Sequence, residues 1–241
     1  MANTHSLDLE ASSSQYAYIE DASQTGLDLS GDFTIEAWVN WESLPSSGII
    51  NFIVQKGTTT DIAYHFRLYN NAGTYRLEAV ISNNGTNYDY VYYNITTPTT
   101  GTWYHYAVTC DISNAASTEF EFFIDGVSQG NGTVYADGSV GSLNNNGRKF
   151  YIGALEGYSY TIDGKIDEVR VWNVIRTDEQ INTYKRRDVT GQTGLVAYWK
   201  LNNSALDETS NNNDLTVSGG TYSTTVPFTS YSPSGSFINL I

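Results

Sequence analysis

Phe33-Thr-Ile-Glu-Ala-Trp-Val-Asn-Trp41 decides the class of fold. Phe33, Ile35, Ala37, Val39 and Trp41 recur at every second position, with Glu36 and Asn40 on the opposite face, and a period of two belongs to a β-strand with one side in a core. Comparable runs rich in Val, Ile, Tyr, Phe and Trp stand on both sides of it, at residues 15–19, 49–55, 63–69, 75–82, 88–95, 103–111, 119–124, 149–152 and 165–172. Clusters of Gly, Asn, Ser and Thr separate them, as turns separate antiparallel strands. That many strands in one chain predict two packed sheets. Asp125-Gly126 reads as a two-residue hairpin turn, because Asp and Gly tolerate positive φ, and Asn84-Gly85, Asn131-Gly132 and Asn146-Gly147 mark further turns. One segment departs from this pattern. Thr177-Asp-Glu-Gln180, followed by Ile181 and Tyr184, fits a capping box opening a short helix, and Lys185, Arg186 and Arg187 fall where cations favour the helix dipole.

The 241 residues are 40% hydrophobic and 14% aromatic, enough apolar material for one continuous core. Trp38, Trp103, Trp172 and Trp199 each sit inside an apolar strand pattern and are expected in it. Twelve basic residues against 26 acidic ones give a net charge of −14, which repels nucleic-acid phosphates and anionic lipid head groups and excludes both as general partners. The excess suits cations, neutral glycans or plain solubility. Cys110 is the single cysteine, so no intrachain disulfide forms, and its place at the end of a strand pattern reads as a small buried side chain. Residues 1–10 show no basic segment followed by an apolar run, and nowhere do 18 apolar residues follow one another. Neither a signal peptide nor membrane insertion is predicted. After Phe228 the chain turns polar, then ends in Phe237-Ile-Asn-Leu-Ile241. This reads as a sandwich over residues 1–228 and an arm over 229–241, whose apolar end either folds back or docks on a second copy to form a homo-oligomer.

Several stretches resemble the laminin-G-like, concanavalin A-like jelly-roll family, which also includes the pentraxins. They are Phe33 to Val39; Gly101-Thr-Trp-Tyr-His-Tyr-Ala-Val-Thr-Cys-Asp111; Phe123-Ile-Asp-Gly-Val127; and Gly164-Lys-Ile-Asp-Glu-Val-Arg-Val-Trp-Asn173 with the helix after it. They run in the family's order between about residues 6 and 181. Gly194-Leu-Val-Ala-Tyr-Trp-Lys-Leu201 resembles a family segment that often opens the domain; here it stands at the end, and one strand of a sandwich can be supplied from either terminus. The resemblance implies an all-β, two-sheet antiparallel jelly-roll sandwich with one short helix.

Relatives with this fold include glycoside hydrolases, whose chemistry needs two carboxylates facing the scissile bond. Their Glu-x-Asp-x-x-Glu or Glu-x-Asp-x-Glu strand is missing; Asp167 and Glu168 are adjacent and so are expected on opposite faces, and His5, His65 and His105 stand singly. The chain reads as no enzyme. Asp207-Glu-Thr-Ser-Asn-Asn-Asn213 offers side-chain oxygens at the close intervals a calcium ion needs. The resemblance implies a structural ion linking such a loop to a late-strand Asp or an early carboxylate, so Asp207, Asn211, Asn213, Asp167 and Glu10 are the metal candidates. An Asx-rich turn satisfying its own backbone is the alternative. The resemblance also implies glycan recognition. Tyr88, Tyr90 and Tyr92 alternate along one strand and share a face, and Tyr158 and Tyr160 fall in a loop, which makes these five the candidate ligand residues. Two functions follow: a carbohydrate-binding module with a structural calcium ion, or a structural or adhesion domain acting by protein contacts at a cell surface or in a virion. The absent leader pattern fits a cytoplasmically made protein, a virion component or an extracellular domain alike, and the two functions favour an extracellular, surface or virion setting among them.

Overall fold

The alternation at residues 33–41 is realised as β3 (Phe33–Trp41), at the centre of one sheet. A computed structural model describes residues 2–145, 147–157 and 160–232. The other strands, in chain order, are β1 (Ser6–Leu9), β2 (Tyr16–Ile19), β4 (Ile50–Gly57), β5 (Ile62–Asn71), β6 (Thr74–Gly85), β7 (Tyr88–Ile95), β8 (Trp103–Cys110), β9 (Phe120–Ile124), β10 (Val127–Gly130), β11 (Thr133–Ala136), β12 (Phe150–Ile152), β13 (Gly164–Trp172), β14 (Leu195–Trp199), β15 (Thr216–Ser218) and β16 (Thr221–Ser223). The helices are α1 (Ala116–Glu119) and α2 (Asp178–Tyr184).

All pairings are antiparallel, and they make two sheets of eight strands. The first runs β10-β9-β8-β3-β13-β1-β16, with β14 also on β13; the second runs β11-β7-β6-β5-β4-β12-β2-β15. Inward side chains of both meet in one core, including Ile35, Val39, Val108 and Val169 from the first sheet and Val54, Phe66, Leu77 and Val91 from the second. The two sheets thus form the expected jelly-roll sandwich. No helix among the described residues is long and apolar enough to cross a membrane.

The short punctuating signals act as read. Asp125 and Gly126 take φ of 52° and 78° and join β9 to β10. Thr177 caps α2 reciprocally with Gln180, and the helix lays Ile181 against Ala107 and Phe123 on the outer face of the first sheet. The late segment closes the sandwich, because β14 pairs with β13, β15 with β2 and β16 with β1. Trp38, Trp172 and Trp199 are buried, whereas Trp103 is half-buried at the start of β8. The boundary at residue 228 moves. Thr229 O accepts from Asn3 N, Ser230 bridges to Ala2, and Ser232 N donates to Arg186 O, so residues 229–232 belong to the sandwich. Residues 233–241, with the apolar end, lie outside the described residues.

Asp167 and Glu168 do not point to opposite faces. A bulge between Asp167 and Arg170 in the pairing with β3, with Glu168 at φ 52°, turns both carboxyls to the outer side. There Arg170 joins Glu168 (Nη2 to Oε2, 2.8 Å) to Glu36 (Nη1 to Oε2, 3.6 Å). Tyr198 and Tyr231 donate to Glu168 at 2.6 and 2.5 Å, and Trp172 and His105 hold Glu36 at 2.8 and 3.0 Å. Both glutamates are 1% exposed, under α2 and the Phe228–Tyr231 segment. Burial alone would raise Glu36, but Arg170 and His105 more than offset it and hold the carboxyl down at about 2.

Candidate functional site

The outer face of the second sheet is built by alternation in three long strands. Tyr64, Phe66 and Leu68 of β5 and Leu77, Ala79 and Ile81 of β6 fill the core, which sends His65 and Arg67, and Glu78 and Val80, outward. On β7, Asp89 and Val91 turn inward and Tyr88, Tyr90 and Tyr92 outward. Register then sets neighbours across the strands. Gln55, His65, Val80, Tyr90 and Ala136 form one row; Phe52, Arg67, Glu78 and Tyr92 form the next.

A groove of about 180 Å3 opens on these rows, lined by Thr59, Ile62, His65, Arg67, Val80, Tyr88, Tyr90 and Tyr135. Tyr135, on edge strand β11, is 65% exposed, and its ring lies 4.6 Å from that of Tyr90. Arg67 donates through Nε to Glu78 Oε2 at 2.9 Å, while the Tyr90 hydroxyl donates to Glu78 Oε1. The guanidinium lies over the rings of Phe52 and Tyr90, 5.5 and 5.2 Å from their centroids. Burial first, and then the Glu78 charge, raises the Tyr90 phenol far above its ordinary value, so it stays a neutral donor. His65 forms the floor. Its ring meets Phe52 edge-on at 5.1 Å and is 3% exposed, yet neither Nδ1 nor Nε2 has a hydrogen-bond partner among the described residues. Burial, and then the Arg67 charge, pushes His65 well below its ordinary value and keeps the imidazole neutral.

Of the tyrosines expected to share a face, the structure places Tyr88 and Tyr90 in the groove. Tyr92 stands one step along, under Arg76 at 4.0 Å. Tyr160 lines a separate depression with Ser43, Asn51 and Asp163, and Tyr158 lies outside the described residues. Sequence reasoning missed His65, Arg67 and Tyr135. A larger cleft, about 570 Å3, opens where the sheets part between β7 and β10, lined by Tyr93, Ile95, Tyr104 and Tyr106 with threonines at its mouth. No unpartnered buried polar atom among the described residues faces it, and the Tyr104 hydroxyl is engaged by Thr99 N at 3.0 Å.

The metal candidates lie in three places. Asp207 Oδ1 accepts from Tyr198 N and Thr209 N, both at 3.0 Å, and Oδ2 from Thr209 Oγ1 at 2.7 Å and Asn213 N at 2.9 Å. Asn213 spans Thr25, its Oδ1 accepting at 2.8 Å and its Nδ2 donating at 3.0 Å, and Asn211 Nδ2 donates to Val196 O. The loop's oxygens face its own backbone, as in an Asx-rich turn. Asp167 is buried elsewhere against Asn3 Nδ2. Glu10 gathers with Asp8 and Glu42, but Lys165 Nζ already reaches Asp8 at 3.4 Å and Glu42. These residues do not fit a calcium ion shared between the loop and either carboxylate. Melting in millimolar calcium and in chelator should therefore give equal midpoints, and Asp207→Ala should destabilise by about 2 kcal/mol or more in both. A calcium-dependent rise that Asp207→Ala abolishes would restore the ion.

A laminin-G profile described as the concanavalin A-like lectin/glucanases superfamily matches residues 11–182. The chain belongs to that superfamily. Among solved structures, a candidate carbohydrate-binding protein from Bacteroides ovatus is similar over 95% of this chain, with 22% identity and a TM-score of 0.68. The chain spans 62% of that protein's length. A heptameric SAP-like pentraxin from Limulus polyphemus is similar over 89% of this chain and 93% of its own, with 14% identity and a TM-score of 0.55. Tailspike protein 2 of an Escherichia coli O157:H7 bacteriophage is similar over 83% of this chain and 30% of its own, with 14% identity and a TM-score of 0.51. At these identities the likeness to solved structures is one of fold. No curated protein matches in sequence. The superfamily's lectin/glucanase sandwich is the frame on which the groove is carried.

Proposed function

We propose that this protein is a non-catalytic carbohydrate-binding module whose ligand sits in the groove between Tyr135 and His65. One observation carries the reading: Tyr88, Tyr90 and Tyr135 line one open groove on the outer face of the second sheet, with the Tyr135 ring largely exposed beside that of Tyr90. Rings of Tyr90 and Tyr135 offer the faces on which a sugar's apolar C–H surface packs. Superfamily membership and the Bacteroides relative agree with this class of ligand.

The non-catalytic half of the proposal is supported by the carboxylates at and behind the groove. Glu78 is fully engaged beneath Arg67 and Tyr90, Glu36 and Glu168 are sealed under α2, and the groove lining contains no carboxylate. A glycan array followed by calorimetry tests the proposal. Wild type is expected to bind at least one glycan, Tyr135→Ala to weaken it about tenfold, and prolonged incubation to release no new reducing ends. An array without a hit would overturn the module and favour the alternative of a structural or adhesion domain acting by protein contacts.

A further inference from the structure

We infer that the site continues from the groove along the outer face of β5, β6 and β7 to Arg76, and that it takes an acidic oligosaccharide of two or more residues, its carboxylates received by the terminal N–H groups of Arg67 and Arg76. This rests on the carbohydrate reading and names the class of glycan.

The two arginines are mounted alike. Register puts Arg67, Glu78 and Tyr92 in one row of that face and Tyr69, Arg76 and Asn94 in the next. Each guanidinium leans one row toward Tyr88 and lies over a tyrosine ring, Arg67 at 5.2 Å from the centroid of Tyr90 and Arg76 at 4.0 Å from that of Tyr92. Each is anchored by its Nε, which donates to Glu78 Oε2 at 2.9 Å in Arg67 and to Asn94 Oδ1 at 3.1 Å in Arg76. The terminal nitrogens of neither have a hydrogen-bond partner among the described residues, and none of them is sealed from solvent. Ring and Nε thus hold each fork in place before a ligand arrives, so little side-chain freedom remains to be lost on binding.

The end of a guanidinium matches the two oxygens of a carboxylate, and such charge-assisted bonds are about twice as strong as neutral ones. Local charge agrees. Glu78 is the one acid that β5, β6 and β7 turn to this face, so the two guanidiniums leave one positive charge over; Asp89 points inward and accepts from the N–H groups of Gly138 and Val140. Toward the Tyr88 end, Asp61 is paired with Arg148, and Asp137 accepts from Ser139. The net charge of −14 opposes an anion from a distance, but salt screens exposed charges beyond about 8 Å, whereas the two forks act in contact. Length follows from the strands. Successive rows on one face stand about 7 Å apart, farther than a single carboxylate spans, so the two arginines answer acidic groups on different sugar residues.

Calorimetry on the intact protein tests this with uronate oligomers of one to four residues prepared from galacturonan, glucuronan and alginate, each beside its neutral methyl ester, and with any array-positive glycan. The variants are Arg76→Gln, Arg76→Lys and the double variant Arg67→Gln/Glu78→Gln, which removes the Arg67–Glu78 pair together and strands no buried charge. At least one uronate tetramer is expected to bind about tenfold or more tightly than its ester and than its monomer, and to weaken when salt is raised. Arg76→Gln should weaken the tetramer about tenfold and leave the monomer, which reaches Arg67 alone, unchanged; Arg76→Lys should restore part of the loss, and the double variant should weaken both. Uronates that bind no better than their esters, or not at all, while the array returns a neutral glycan would overturn the inference and leave the module intact. Tetramer binding unchanged in Arg76→Gln would overturn it too. A wild type that binds no glycan of either kind removes the module and the inference together.

Discussion

Arg170→Met is expected to cost the protein about 3–5 kcal/mol of unfolding free energy, because it leaves Glu36 and Glu168 buried without their shared cation. The guanidinium also donates to the carbonyls of Tyr184 and Arg187 at 3.0 Å each, so the connection after α2 should loosen with it. Urea melts followed by circular dichroism measure the loss. Adding Glu36→Gln to Arg170→Met should recover part of it, since one stranded charge becomes a neutral amide that can still accept from Trp172. A loss below about 1 kcal/mol would mean that water reaches these carboxylates and that the seal formed by α2 and Tyr231 is open.

Glu119→Gln should alter the pH dependence of stability strongly. Glu119 is buried where α1 meets β9, and burial first, then the neighbouring Asp89 charge, raises its carboxyl to about 9. The unfolded chain releases this proton near 4.5, the folded chain near 9, so between those values the folded state holds the extra proton. Stability therefore falls as pH rises through that window, by about 1 kcal/mol per pH unit. Gln cannot ionise, so the variant should gain on the parent from pH 5 to pH 8. Glu36 acts with the opposite sign. Its folded value of about 2 lies below the unfolded 4.5, so its contribution is full above 4.5 and is lost as pH falls toward 2. Taken by themselves, these two groups set the stability maximum near pH 4.5. Parallel pH profiles for parent and Glu119→Gln would show a proton-free Glu119 in the native state at once.

The parts of the fold legible in the sequence were those encoded locally. Alternation at 33–41 and 88–95, the Asp125-Gly126 turn and the Thr177/Gln180 box each carry their instruction within a few residues, and each stands as read. β15 and β16 were not legible, because three residues cannot show a period; they are strands only because the open edges of β2 and β1 accept them. The outward turn of Glu168 was hidden for a related reason, since a bulge is decided by two neighbouring strands together. At the groove, the pattern 63–69 does place His65 and Arg67 on one face of β5. What a single chain cannot state is that β5 lies two strands from β7 with His65 level with Tyr90. Tyr135 carried even less signal, a lone aromatic on a four-residue strand. The 207–213 loop shows the reverse case: its composition suits either an ion or a self-bonded turn, and only the direction of the backbone N–H groups separates the two.

The pairing of Ala2 with Ser230 brings both ends of the described chain to one place, on the side where Tyr231 reaches Glu168. That is the outer side of the first sheet, and the groove opens on the outer side of the second. Coupled to a bead, a sensor chip or a fusion partner through a side chain beside Ala2 or Ser230, the protein would stand with its back to the support and its aromatic groove toward the solution. Many copies fixed this way on one surface would all present the same face, so that, on the carbohydrate-binding reading proposed above, weak single contacts with a repetitive polysaccharide would add up to firm attachment.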